Sequence, residues 1–174
     1  MSNPDGPAFS GASDPQRPAP ARLAIIGCGN RARSDDGAGV EVVDRLKAAG
    51  LPPDVQLVDA GTAGIDVMFG VRGAARVVIV DACRSGSEPG AIFRLPAREA
   101  MTPAEPGYTL HGLRWDHALY AGRRMYGEHF ADHAEVVLIE AAHTGFGLEL
   151  SAPVQRAAER VAVLLAALAR GDAG

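Results

Sequence analysis

The sequence is poor in several residue types, and each shortage excludes a class of protein. Two cysteines among 174 residues, Cys28 and Cys83, are too few for a disulfide framework and lack the CxxC spacing of zinc sites. No apolar run approaches the ~18 residues of a membrane span, and the first residues do not read as a secretory signal. Lys47 is the only lysine, and 17 basic against 21 acidic residues leave a net charge of -4. We therefore expect a cytoplasmic protein that binds neither membranes nor nucleic acid.

The remaining composition is that of an ordinary globular domain. Hydrophobic residues make up 47% of the chain and charged residues 22%, which allows a sizeable core. Five of the twelve prolines fall in residues 1–21, where we predict a disordered tail. A single domain is predicted over residues 22–170.

Strands and helices alternate through this domain. Strands are predicted at residues 23–27, 55–59, 77–81, 90–96 and 135–141. Helices are predicted at residues 36–50, 65–71, 112–126 and 152–169. A short, hairpin-like connection from the third strand to the fourth predicts that the fourth runs antiparallel. The order predicts an α/β fold, a three-layer αβα sandwich around a mostly parallel, mixed, twisted five-stranded sheet.

Carboxylates lie at the ends of three predicted strands. Asp36 lies in the loop after the first strand, Asp59 ends the second and Asp81 ends the third. Open α/β sheets bind ligands beyond the carboxyl ends of their parallel strands. An isolated aspartate often only caps a helix or starts a turn, but three at one edge favour a functional site.

The loop after the first strand reads GCGNRA, which satisfies a relaxed dinucleotide-binding fingerprint. Asp35 and Asp36 lie where the helix begins, and they would compete with a pyrophosphate for its positive end. The acidic residue expected about twenty positions further on is absent. A cation suits the loop better, although a nucleotide-binding module and a purely structural turn both stay open.

His111 is the candidate third ligand. It precedes a predicted helix, whose dipole keeps the imidazole neutral, the form that binds metals. Together with Asp36 and Asp81 it would give oxygen and nitrogen donors suited to Ni, Zn, Mn or Fe. A solvated or partly buried histidine is the simpler alternative. His143, just after the fifth strand, is a weaker candidate for the same crevice.

These elements together resemble the endopeptidases that mature the large subunit of nickel-iron hydrogenases. The resemblance covers residues 22–168, and its most specific part is the run LAIIGCGNRARSDDGAGVEVVDRL. DAGTAG is similar to the family's D-G-G-T-x-G turn, VVIVDA to its strand ending in a metal-binding aspartate, and LHGLRWDHAL to its segment with a histidine ligand. The resemblance implies that the metal ligands, which are also the catalytic residues, are Asp36, Asp81 and His111. It also implies that a turn recognises the substrate through Asp59, Gly61 and Thr62.

The resemblance also implies an activity. Such hydrolases remove a C-terminal extension from the hydrogenase large-subunit precursor after nickel insertion, and they recognise the bound nickel. We therefore expect the precursor as partner of a monomeric protein, and nickel carried by that precursor, with another divalent cation able to substitute. A metal-dependent mechanism, an aspartic mechanism and a non-catalytic chaperone for the precursor stay open.

The chain departs from the family's pattern in three places. Arg31 and Arg33 stand in the glycine-rich loop where apolar residues are commoner, and the second turn reads DAGT instead of DGGT. After the fifth strand, IEAAHTGFG replaces a segment that usually contains proline. These differences bear on the choice of substrate and on the shape of the cleft.

Overall fold

A computed structural model describes residues 21–103 and 113–172, and its strands form one mixed sheet. The strands are β1 (Leu23–Cys28), β2 (Val55–Gly61), β3 (Val77–Cys83), β4 (Ile92–Pro96) and β5 (Ala134–Glu140). Their order across the sheet is β2-β1-β3-β5-β4, with β4 antiparallel and every other pair parallel. The prediction of a mostly parallel five-stranded sheet is confirmed.

The antiparallel direction of β4 was predicted correctly, but its neighbour is β5 rather than β3. The hairpin-like pairing with the third strand is therefore wrong. In β5, Val136 and Ile139 have no exposed surface, so this strand takes an inner position with both faces covered. No residue of β4 is fully buried, which suits a strand at the edge of the sheet.

Helices cover both faces of the sheet. They are α1 (Ala38–Ala49), α2 (Gly64–Arg72), α3 (Ala97–Ala100), α4 (Trp115–Tyr126) and α5 (Ala152–Arg170). The helices α1 and α5 pack against one face, and α2 and α4 against the other. The three-layer αβα sandwich is thus confirmed, with a separate apolar core on each side of the sheet.

Two glycines bring α1 against the ends of the central strands. A Cβ on Gly27 would lie 2.3 Å from the carbonyl oxygen of Gly39, and one on Gly39 would lie 2.1 Å from that of Val80. A side chain at either position would push the helix away from the sheet. The 3-10 turn Ser34–Gly37, which leads into α1, therefore contacts the end of β3.

Ala21, the first residue that the structure describes, is hydrogen-bonded to the connection between α2 and β3. Its N–H donates to the carbonyl oxygen of Gly73 at 2.9 Å, and its own carbonyl oxygen accepts from Ala75 at 2.8 Å. The rest of the predicted tail, residues 1–20, lies outside the described residues. Within the described ranges, no helix has the length and apolar character needed to cross a membrane.

Candidate active site

Two adjoining cavities open at the carboxyl ends of β1 and β3. The larger has a volume of about 460 Å³ and the smaller about 100 Å³. Asp36, Asp81, Arg114 and Trp115 line both of them. This is the edge at which open α/β sheets bind ligands, so the cavities mark the candidate active site.

The Asp81 side chain is held in one orientation. The indole N–H of Trp115 donates to Oδ2 at 2.6 Å, and the backbone N–H of Ala82 donates to Oδ1 at 2.8 Å. Burial raises the pKa of Asp81 to about 6; these two hydrogen bonds oppose the rise, while the nearby Asp36 carboxylate adds to it. A carboxyl group with a fixed orientation and a pKa shifted toward neutrality is typical of active sites.

Asp36 approaches Asp81 across Gly29. A Cβ on Gly29 would lie 1.8 Å from the Asp36 carbonyl oxygen and 3.5 Å from Asp81 Oδ1, and the φ angle of Gly29 is +121°. No other residue type fits this position without moving the chain. Asp36 Oδ2 accepts the backbone N–H of Asn30 at 3.0 Å. The structure thus brings the two predicted carboxylates to the same cavities.

The third predicted ligand, His111, lies outside the described residues. Within residues 21–103 and 113–172, no three His, Cys, Asp or Glu side chains stand close enough together to hold a metal ion. The carboxylates of Asp36 and Asp81 are oxygen donors of the kind that divalent cations accept, and they fit part of a metal site. The complete ligand set stays a prediction.

Asp35 turns away from the cavities into the protein. Its carboxylate is fully buried and accepts the N–H groups of Ala142, His143 and Ser151 at 2.9, 3.1 and 2.6 Å, and the Ser151 hydroxyl at 2.9 Å. It therefore ties the turn before α1 to the connection between β5 and α5. Because its oxygens are engaged there, Asp35 does not form a catalytic pair with Asp36.

The connection after β5 contributes Thr144 to the larger cavity. His143, the weaker sequence candidate, is exposed and lines neither cavity. Arg33 Nε donates to the Thr144 carbonyl oxygen at 3.1 Å and holds this segment against the glycine-rich loop. Two of the three places where the chain departs from the family's pattern are thus in contact with each other.

The turn after β2 borders the smaller cavity. Gly61 and Thr62 line it, whereas Asp59 does not. Asp59 Oδ1 accepts the backbone N–H of Gly61 at 3.0 Å, and Oδ2 accepts Arg31 Nη2 at 2.8 Å. Of the three residues predicted to recognise substrate, two therefore face the site and the third supports the turn.

The glycine-rich loop uses its own amide groups inside the protein. The backbone N–H groups of Gly29, Asn30, Ala32, Arg33 and Ser34 donate to Gly61 O, Asp36 Oδ2, Asn30 Oδ1, Asn30 O and Gly147 O, respectively. A phosphate-binding loop instead points its N–H groups at the ligand. This arrangement argues against the nucleotide-binding alternative.

Trp115 and Glu140 support the site, and neither residue was predicted from the sequence to do so. Trp115 is the chain's only tryptophan, and its indole N–H, which needs a partner when buried, is the signal that could have drawn attention to it. Glu140 is 2% exposed and accepts two backbone N–H groups and a hydroxyl from Ser85 and Gly86. These bonds, the Ser85 backbone bond foremost, lower the pKa of Glu140 to about 2. Nothing in the sequence separates Glu140 from an ordinary strand residue.

Cys83 also lines the larger cavity. Its thiol donates to Glu140 at 3.2 Å. Burial, together with the Glu140 carboxylate, raises the pKa of Cys83 to about 12. The group is a protonated thiol near neutral pH, which excludes it as an activated nucleophile.

The sequence also matches a known protein family. The family model described as hydrogenase maturation protease matches residues 40–167, most of the chain. The chain belongs to the hydrogenase maturation protease family. The family recognised from the sequence is therefore confirmed, and the match includes the DAGTAG turn and the third strand.

Individual members of the maturation protease family agree with this assignment. A crystal structure of a NiFe hydrogenase maturation protease from Thermococcus kodakarensis is 28% identical, with a TM-score of 0.64 over 84% of this chain and 91% of that one. The hydrogenase 2 maturation protease of Escherichia coli is 32% identical over 85 residues, 48% of this chain and 51% of that protein. A maturating endopeptidase of Escherichia coli, 23% identical with a TM-score of 0.70, shares the fold. The chain spans about half the length of the curated relatives it matches.

Proposed function

We propose that this protein is an endopeptidase that removes the C-terminal extension of a nickel-iron hydrogenase large-subunit precursor. The observation that carries the proposal is that Asp36 and Asp81 line the same two cavities at the carboxyl ends of β1 and β3, in a chain of the hydrogenase maturation protease family. The proposed site of action is the cytoplasm, with the protein as a monomer.

In the proposed mechanism, nickel is part of the substrate and not a resident cofactor. Asp36, Asp81 and His111 would share the nickel that the precursor carries. A bound divalent cation can polarise a scissile carbonyl or lower the pKa of an attacking water. Fixed orientations of the two carboxylates support this proposal, because Asn30 holds Asp36 while Trp115 and Ala82 hold Asp81.

The pKa of Asp81 sets a condition on this role. In the metal-free protein its carboxyl group is mostly protonated below about pH 6, so a cation that binds there must displace the proton. Above that pH it carries the charge that attracts the metal of the precursor. We propose that the ionised form is the active one.

Cleavage of a purified precursor tests the proposal. Incubation with the nickel-loaded precursor is expected to shorten it by its C-terminal extension, seen as a mass loss in intact-protein mass spectrometry, whereas the nickel-free precursor stays intact. Asp36→Asn and Asp81→Asn should each slow cleavage at least about 100-fold, since each removes a charged ligand. Asp172→Asn, an exposed carboxylate just beyond α5, is the matched control and should cleave like the wild type.

Three results would count against the proposal. A nickel-loaded precursor that keeps its full mass while copurifying with the protein would identify a chaperone instead. Equal cleavage of the nickel-free precursor would remove the metal from the mechanism. Full activity of both the Asp36 and Asp81 variants would move the active site elsewhere.

A further inference from the structure

Arg31 connects three elements around the candidate active site. It lies in the loop after β1, next to Asn30, the residue whose backbone N–H holds Asp36. Its guanidinium Nη1 donates to Asp44 of α1, and its Nη2 donates to Asp59 Oδ2 at 2.8 Å. Two carboxylates on different elements thus converge on one arginine side chain, a geometry that the planar guanidinium serves better than an ammonium group does.

These contacts occupy the Asp59 carboxylate within the protein. Oδ2 accepts from Arg31, and Oδ1 accepts the backbone N–H of Gly61 at 3.0 Å. Asp59 lines neither cavity. Its charge is therefore directed at the protein's own loop and not at the space where a substrate would lie.

The same contacts fix the shape of the turn. Gly61 has a φ angle of +47°, and its carbonyl oxygen accepts the backbone N–H of Gly29 at 2.8 Å. The turn is thus tied to the glycine-rich loop by its main chain at Gly61 and by the side chain of Asp59. Thr62, the next residue, is exposed and lines the smaller cavity together with Asp36.

We propose that Arg31 is a positioning residue for substrate recognition, holding Asp59 and its turn so that Thr62 presents its hydroxyl to the precursor. This inference rests on the proposed function of the turn in recognising the precursor. Asp59 then acts through the shape of the turn and does not touch the substrate.

A merely structural ion pair would behave differently. About half of the Arg31 side chain is exposed, and exposed pairs contribute little to the free energy of unfolding. Loss of Arg31 should therefore leave the fold intact but loosen the turn. The affected kinetic quantity is KM. The Asp36 and Asp81 carboxylates, on which kcat depends, are held by Asn30, Trp115 and Ala82 and not by Arg31.

The test compares Arg31→Ala, Arg31→Lys and Asp59→Asn with Arg22→Ala as the matched control. Arg22 also bridges a carboxylate and a second element, Asp54 and the Ala169 carbonyl oxygen, but it precedes β1 at the opposite edge of the sheet. Amide hydrogen exchange at Gly61 reports whether the turn is held, and it needs no activity. Steady-state cleavage of the nickel-loaded precursor reports whether the held turn matters for recognition.

In Arg31→Ala, exchange at Gly61 should be about fivefold faster and KM about fivefold higher, as expected for the loss of one exposed pair, with kcat changed less than about twofold. Arg31→Lys should fall between this variant and the wild type. Combining Arg31→Ala with Asp59→Asn should add little, because both remove the same contact.

Each failure has a separate meaning. Unchanged exchange at Gly61 in Arg31→Ala would overturn the positioning role. Faster exchange with an unchanged KM, or additive effects in the double variant, would overturn the link to recognition. If the wild type fails to cut the precursor, the proposed function fails, while the exchange measurement still decides whether Arg31 holds the turn.

Discussion

At the scale of single residues, the site is defined by how two acidic side chains are held. Asp36 and Asp81 share the cavities, and burial raises the pKa of Asp81 to about 6. Asp35, adjacent to Asp36 in the chain, instead accepts hydrogen bonds from the backbone of Ala142 and Ser151 inside the protein. Asp35 and Asp36 thus have different roles, because the turn before α1 directs their side chains to different parts of the protein.

Asp81 should make the free protein less stable as the pH rises. An unperturbed Asp has a pKa near 3.9, so a folded value of about 6 favours the protonated form in the fold. The stability that the neutral carboxyl contributes is full below about pH 4 and is lost as the pH rises through about 6. In a chelator, Asp81→Asn is expected to raise the melting temperature by about 3 °C at pH 7.5 and to change it little at pH 4.

Thermal unfolding followed by circular dichroism at the two pH values checks this expectation. Asp172→Asn, which changes an exposed carboxylate, should have no effect at either pH. A lower melting temperature for Asp81→Asn at pH 7.5 would show that the hydrogen bonds from Trp115 and Ala82 outweigh the burial of the charge.

At the scale of elements, the glycine-rich loop is where three parts of the chain meet. Main-chain bonds join Gly29 to the turn after β2 and Ser34 to the connection before α5. Asp35 reinforces the second contact with four hydrogen bonds. The walls of the cavities therefore depend on contacts between elements far apart in the sequence.

Replacement of Asp35 should loosen this junction. Asp35→Asn keeps the size of the side chain but replaces one accepting oxygen with a donor amide that faces other donors. We expect the free energy of unfolding in urea to fall by about 3 kcal/mol, since the buried carboxylate receives several bonds. Ser151→Ala removes only the hydroxyl bond and should cost about 1 kcal/mol. An Asp35→Asn variant as stable as the wild type would contradict the role assigned to this contact.

At the scale of the whole molecule, the sheet couples two separate cores. Ile25 of β1 faces the core under α1 and α5, while its neighbour Ile26 faces the core under α2 and α4. The central strands therefore belong to both cores at once. Loss of packing in one core should therefore also destabilise the other core.

Unfolding should accordingly be one cooperative transition. Val43→Ala on the α1 side and Leu119→Ala in α4 each leave a cavity at a fully buried position, and each should lower the free energy of unfolding by about 2 to 4 kcal/mol. Trp115 lies in the core under α2 and α4, on the other side of the sheet from Val43. In Val43→Ala, tryptophan fluorescence and circular dichroism should therefore give the same urea midpoint. Separate midpoints for the two signals would show that the cores unfold independently.

Local patterns in the sequence determined the number and approximate bounds of the strands, four of the five helices (all but the short α3), the mostly parallel character of the sheet and the family. They sufficed because apolar runs, caps and glycines act over a few residues. The inner position of β5, the diverging paths of Asp35 and Asp36 and the bridge from Arg31 to Asp59 were decided by the tertiary structure alone. Each depends on a partner that is distant in the chain, and spacing along one sequence carries no information about which distant groups will meet.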